Sequence, residues 1–200
     1  MSEGPSPTPG AIPHARLSLD ARTRALGRTG CTIWLTGLPA SGKSTIALAV
    51  EALLLDRNRP ALVLDGDLLR HGLSAGLTFD AAGRAEAVRR AGEAALLLAE
   101  SGSVAIASLV SPSRADRDRV RARHVRAELA FIEVFVDAPL EVAARRDPKG
   151  LYKKALAGEI ASFTGVSDPY EAPLTPEVHV RTDELSVELC AAKIIAAIRV

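Results

Sequence analysis

Short runs of continuous apolar residues alternate along the chain with longer segments of helical periodicity. CTIWLT (31–36), ALVLD (61–65), SVAIASLV (103–110) and FIEVFVD (131–137) barely alternate between polar and apolar positions. That is the pattern of strands covered on both faces. EVHVRT (177–182) predicts one more short strand. Helices are predicted between them over 43–56, 84–101, 114–128 and 140–146, with a last one over 186–199. Strand–helix alternation implies an α/β protein: three layers, a central and mostly parallel sheet of about five strands, and right-handed crossovers. The stretch 147–176 is rich in Gly and Pro and long for a connection, as lids over active sites often are.

Length and composition narrow the picture. Two hundred residues can bury one proper core, so we expect a single domain over 30–200. The first ten residues, MSEGPSPTPG, have a tail's composition, and 11–30 could hold a short helix packed on the domain or on a partner subunit, so 1–29 is expected to be a flexible tail or short helix. A net charge of +1 gives no reason to expect nucleic-acid binding. No apolar run is long enough for a membrane span, and the start lacks a basic, apolar secretory pattern. Cys31 and Cys190 form no metal-binding or disulfide-motif spacing, which suits a reduced, cytoplasmic protein. With only four Phe in the chain, each needs an explanation.

The chemistry begins at Gly37-Leu38-Pro39-Ala40-Ser41-Gly42-Lys43-Ser44, a full match to GxxxxGK[ST], with Thr45 following. It lies between a predicted strand and a predicted helix, the context this phosphate-binding loop requires. Glycines let backbone N–H groups curl around an anion, and the helix N-terminus adds free donors and partial positive charge. Lys43 is placed to reach the β- and γ-phosphates of ATP, and Ser44 to ligate Mg²⁺. The fold class is therefore that of P-loop NTPases. The strand 103–110 carries no Asp for the metal. Asp65 and Asp67, in LDGD, instead close the strand at 61–65, at the sheet edge where α/β proteins bind ligands. Asp67 is the candidate to orient or deprotonate an acceptor hydroxyl and to hold Mg²⁺, directly or through water. Capping of the next helix is its alternative role.

At these residues the chain becomes familiar. GLPASGKST, LDGD, RHGL, RRAGE, SPSR and the long block FIEVFVDAPLEVAARRDPKGLYKKALAGEIASFTGVSDPYEAPLTPEVHV resemble the adenylylsulfate (APS) kinase family from about Gly30 onward. The block 131–180 is the most specific part. The resemblance implies transfer of the ATP γ-phosphoryl to the 3′-hydroxyl of adenosine 5′-phosphosulfate, giving PAPS, with a helical lid and usually a homodimer. It implies an adenine clamp at Phe79 and Phe163. It implies anion and ribose contacts at Arg70 and Arg84, and a lid lysine at Lys153 or Lys154 within a basic lid over 149–165. Val110, Ser111 and Pro112 match the strand-end segment that touches the acceptor. The matching serine of the family is described as a phosphoserine intermediate; direct in-line transfer needs no covalent step and leaves Ser111 as an acceptor contact.

The chain also departs from the family pattern, chiefly in the acceptor-facing segment. Leu68 and Ala87 stand where the family has Asn, Gly76 and Gly83 where it has Asp, and Thr78 where it has Gly. Val110 replaces Ile and Ser113 replaces Tyr. A drifted acceptor site on a working APS kinase is the first reading. A small-molecule kinase for another hydroxyl and a non-catalytic nucleotide-binding subunit are the others.

Overall fold

The computed structural model describes residues 18–198. Five strands, β1 (Cys31–Thr36), β2 (Ala61–Asp65), β3 (Val104–Ser108), β4 (Ala130–Asp137) and β5 (Val178–Arg181), form one sheet in the order β2-β3-β1-β4-β5. Every pairing is parallel. The expected α/β architecture is present, with the five strands falling on the five predicted strand segments.

Among the described residues eight helices surround the sheet: α1 (Leu19–Leu26), α2 (Lys43–Leu55), α3 (Gly66–Leu69), α4 (Ala81–Glu100), α5 (Arg114–Arg126), α6 (Leu140–Arg146), α7 (Leu151–Leu156) and α8 (Val187–Ala197). Side chains alternate across β1 and split the core in two. Cys31, Ile33 and Leu35 pack with Ile46 and Val50 of α2 and with Ala191 and Ile194 of α8. On the opposite face Trp34 packs with Val88 and Ala91 of α4, Val120 of α5 and Phe131. Trp34 sits in register with Ala107, so the largest side chain of β1 faces a small one on β3.

Local chemistry explains where the elements begin. Ser113 caps α5 by accepting from the Asp116 amide (3.3 Å), and Ser186 caps α8 by accepting from that of Leu189 (3.4 Å). Asp80 caps α4 by accepting from the Gly83 amide at 2.7 Å, which starts that helix at Ala81 rather than at the predicted 84. Gly83 lies in its first turn because the Thr78 carbonyl oxygen occupies the place of a side chain; a Cβ there would lie 2.3 Å from it. Three short helices refine the expectation. α1 falls inside the 11–30 segment and packs Leu19 against Leu96, Ala99 and Leu129. α3 follows β2 directly, and α7 lies within the predicted lid. The expected tail at 1–10 and the end of the last predicted helix lie outside the described residues.

One buried charge ties the sheet to the segment behind the lid. Arg117 is 1% exposed and donates to the Glu133 carboxylate, the Ser111 carbonyl and the Glu171 carbonyl, each at 2.7 Å. All three bonds are charge-assisted, and each nitrogen of the buried guanidinium makes one. Removing it strands Glu133, which is also buried and keeps only Arg121 at 3.2 Å. Arg117→Met should therefore lower unfolding free energy by about 3–5 kcal/mol, read from urea denaturation. A loss below about 1 kcal/mol would mean that Arg121 alone carries Glu133.

Candidate active site

The phosphate loop runs from the end of β1 into α2 and packs against β4. A Cβ on Gly37 would lie 2.3 Å from the Val136 carbonyl oxygen, so only glycine lets the loop pass there. Ala40 takes a left-handed φ of 59°, and the Ser41 amide donates to the Leu38 carbonyl (3.1 Å), closing the turn. Gly42 starts α2 with no side-chain cap. The first amides of that helix are thus free of side-chain acceptors, the arrangement that receives a phosphate.

Lys43 folds back over the loop. Its Nζ donates to the carbonyls of Gly37 (3.0 Å) and Leu38 (2.7 Å). Burial pushes the ammonium down to about 7, against the opposite pull of Asp65 and Asp67. Because this value lies below the ordinary 10.5, the unfolded chain holds the proton more tightly. The group's contribution to stability therefore rises with pH between about 7 and 10.5. Ser44 Oγ donates to Asp65 Oδ2 at 2.6 Å, and Asp65 Oδ1 accepts from the Asp67 amide at 2.9 Å. The structure thus brings Asp65, rather than Asp67, onto Ser44, while Asp67 is paired with Lys149 of the lid.

These groups open into a cavity of about 930 Å³. Its wall includes Pro39, Ala40, Gly42, Lys43, Ser44 and Thr45 from the loop and helix α2, with Asp65, Asp67 and Arg70 after β2. Phe79, Arg84, Val110, Ser111, Pro112 and Phe163 complete the expected acceptor side. Leu68 and Ala87, two of the departures, are in the same wall, and Leu68 is 69% exposed. Gly37, Leu38 and Ser41 are not in that wall; they form the loop beneath it.

The expected clamp is asymmetric. Phe79 is 62% exposed, with the Arg70 guanidinium 3.8 Å above its ring. Phe163 is buried edge-on against Tyr152, with ring centroids 4.9 Å apart, among Ala143 and Ala155. Arg84 is paired with Asp168. Ser111 holds a φ of 39°, a strained value for a residue other than glycine, and its Oγ accepts from Trp34 Nε1 at 3.1 Å. Lys153 and Lys154 are exposed and outside the cavity wall; the lid cation inside it is Lys149. The lid rests on the loop through Tyr152, whose hydroxyl donates to the Pro39 carbonyl at 3.0 Å.

A second, smaller hollow of about 100 Å³ borders the loop on the β5 side, between Gly42, Thr45, Arg146, Thr182 and Leu185. Arg146 donates to the Thr182 hydroxyl (2.9 Å) and carbonyl (2.6 Å), and Thr182 Oγ1 donates to the Ser41 carbonyl (2.9 Å). Sequence reasoning missed Arg146, Thr182, Tyr152 and the specific role of Lys149. The block 131–180 carries the resemblance as a whole, and spacing alone does not say which of its cations turn inward.

Ser44 Oγ and the carboxylates of Asp65 and Asp67 form an all-oxygen set that suits a hard cation such as Mg²⁺. Among the described residues no three His, Cys, Asp or Glu side chains gather into a metal cage. A Mg²⁺ held here completes its shell with phosphate oxygens and water, as Mg²⁺ usually does.

A parallel sheet, a phosphate loop leading into α2, carboxylates at the next strand end and a helical lid define a P-loop kinase. The adenylylsulphate kinase family model matches residues 29–181. The adenylyl-sulfate kinase of Saccharomyces cerevisiae is 56% identical over 178 residues, covering 89% of this chain and 88% of that protein. The Mycobacterium tuberculosis APS kinase CysC, solved in complex with AMPPNP and APS, superposes with a TM-score of 0.83 at 45% identity over 85% of this chain and 98% of its own. A gluconokinase from Sinorhizobium meliloti, 17% identical with a TM-score of 0.56 over 85% of this chain and 92% of its own, shares the fold. The chain belongs to the adenylylsulfate kinase family.

The buried Lys43 makes a measurable prediction. Phosphates favour its charged form, so nucleotide binding raises its affinity for a proton. At pH 8 MgATP binding should take up close to one proton (~0.7 or more), read from calorimetric heats in buffers of different ionisation enthalpy. Zero uptake would mean that Lys43 is already charged in the free protein.

Proposed function

We propose that the protein transfers the γ-phosphoryl of MgATP to the 3′-hydroxyl of adenosine 5′-phosphosulfate, giving PAPS and ADP. The observation that carries this reading is the shared cavity. The phosphate loop, both strand-end carboxylates, Phe79, Arg70 and Arg84 line one volume, at the large end of the range for small-molecule sites.

ATP phosphates lie on the loop 37–45 against Lys43 and the uncapped end of α2. The donor base sits on the β5 side, near Arg146 and Thr182. Mg²⁺, held at Ser44 and the neighbouring carboxylates, supplies charge neutralisation on the phosphate oxygens. The acceptor enters beneath the lid with its base between Phe79 and Phe163 and its anionic end toward Arg70 and Arg84. The acceptor oxygen bonds to the γ-phosphorus as the bond to ADP breaks, and its proton passes to Asp67. Lys149 must leave Asp67 for this, and its cation then lies close to the transferring group. Ser111 has its Oγ engaged by Trp34 and backbone, with no carboxylate or imidazole as hydrogen-bond partner. That favours direct transfer, with Ser111 as a wall of the acceptor site.

We also read the protein as a cytoplasmic homodimer. Cys31 and Cys190 are free, buried thiols, as suits a reducing compartment. No helix of the described residues is long and apolar enough to cross a membrane. β2 is an edge strand whose Leu62 is 49% exposed, and the 57% exposed Leu48 of α2 lies with it at the border of the large cavity. An apolar open edge of this kind favours a second copy.

A coupled assay with MgATP and APS tests the reaction; no turnover with APS, while another alcohol is phosphorylated, would overturn it. Lys149→Ala should lower kcat more than about tenfold, while Lys153→Ala and Lys154→Ala should stay within about threefold. The reverse ranking would return the lid role to those two lysines. Leu62→Glu should convert a dimer to a monomer in sedimentation at micromolar concentration, and a monomeric wild type would reject the dimer.

A further inference from the structure

Thr36 ends β1 and leads directly into the phosphate loop at Gly37. It is 0% exposed, so its side chain does not touch a substrate. Its hydroxyl nonetheless meets three groups. The Val110 carbonyl lies at 2.7 Å, the Tyr170 hydroxyl at 3.0 Å and the Ser111 carbonyl at 3.4 Å. The roles follow from the protons available. A carbonyl only accepts, so the single Thr36 hydroxyl proton goes to Val110, its nearer carbonyl. Tyr170 is then the donor to Thr36 Oγ1. Burial pushes the Tyr170 phenol up to about 12, so it keeps the proton it donates.

Both carbonyls belong to the acceptor side of the cavity. β3 ends at Ser108, and beyond it Val110, Ser111 and Pro112 line the cavity. Once the strand ladder ends, their backbone oxygens need other donors. Three residues supply them: Thr36 to Val110, Arg117 to Ser111 (2.7 Å) and the Glu171 amide to Pro112 (2.9 Å). Of these, Thr36 is the one joined by a peptide bond to the phosphate loop. Tyr170 is itself held in place. Its ring stacks on Phe135 of β4 with centroids 6.1 Å apart, and Phe135 is in register with Thr36. Two residues earlier, Asp168 pairs with Arg84. The chain Tyr170→Thr36→Val110 therefore runs from the segment behind the lid, across the end of β1, to the acceptor wall.

We propose that Thr36 is a positioning residue for phosphoryl transfer: its hydroxyl, oriented by Tyr170, sets the acceptor wall 110–112 against the phosphate loop. This deepens the APS reading above and rests on it. In-line transfer tolerates little error between its two substrates, and a misplacement of about 1 Å can cost about a hundredfold in rate. Thr36→Val keeps the side-chain shape, removes the proton that Val110 accepts and leaves the Tyr170 hydroxyl facing a methyl group. It does not touch Lys43 or the amides at the start of α2, which are proposed to hold the triphosphate.

Kinetics of Thr36→Val, Thr36→Ser and Tyr170→Phe test the proposal, with turnover expressed per folded molecule from circular dichroism. For Thr36→Val, kcat/KM for APS should fall about ten- to hundredfold, while the Kd of MgATP from calorimetry stays within about twofold. Thr36→Ser keeps the hydroxyl and should remain within about threefold of wild type. Tyr170→Phe spares the bond to Val110 and should lose only about two- to tenfold. An unchanged kcat/KM in Thr36→Val overturns the proposal, and a lowered melting temperature beside it assigns Thr36 to the fold alone. A loss of MgATP affinity as large as the loss in kcat/KM assigns the hydroxyl to the loop and also overturns it. So does a Thr36→Ser variant as impaired as Thr36→Val. A wild type inert toward APS overturns the functional reading and this inference together, whereas an active wild type matched by Thr36→Val overturns the inference alone.

Discussion

Gly37 passes so close to the Val136 carbonyl that the loop is held against β4 as it leaves β1. The rest of the site follows from that approach. The loop's carbonyls at Gly37 and Leu38 face back to receive the Lys43 ammonium. Lys43, with its charge nearly stripped of water, is poised to take a phosphate in place of solvent. Ser44 then falls beside Asp65, which in turn starts α3 and sets the position of Asp67. A bulkier residue at position 37 would move the anion site away from its metal and acceptor partners together.

The ligand-free protein satisfies its own charges. Asp67 is held by Lys149, Arg84 by Asp168, and the Arg70 guanidinium by the Phe79 face. In the proposed reaction each pairing joins groups that are needed separately. Substrate binding is therefore an exchange of partners, which lowers the desolvation cost of assembling so many charges in one cavity. Tyr152 keeps the lid on the loop through the Pro39 carbonyl, so the exchange takes place under a lid already anchored at one point.

Much of this was legible in the residue order. Continuous apolar runs located β1 to β4, because a sheet covered on both faces leaves no polar side to blur the pattern, and the alternating EVHVRT located β5. The loop 37–45 announced itself through glycine and lysine spacing. Short elements were harder. α3 and α7 span four and six residues, too few for a periodicity to emerge. The start of α4 was hidden by Gly83, whose presence answers to the Thr78 carbonyl and not to helix propensity. Lys149, Lys153 and Lys154 look alike in sequence; only the lid's path separates the one that meets Asp67.

The strand order divides labour across the molecule. The acceptor residues hang from β2, β3 and α4, whereas Arg146 and Thr182 belong to the β4–β5 side. The phosphate loop, on central β1, lies between the two sides, and α2 and Arg117 tie them together beneath the lid. Substitutions between 68 and 87 can therefore accumulate without disturbing how the triphosphate is held. A sheet so arranged keeps the residues that face the triphosphate apart from those proposed to face its acceptor, so a change in one set need not pass through the other.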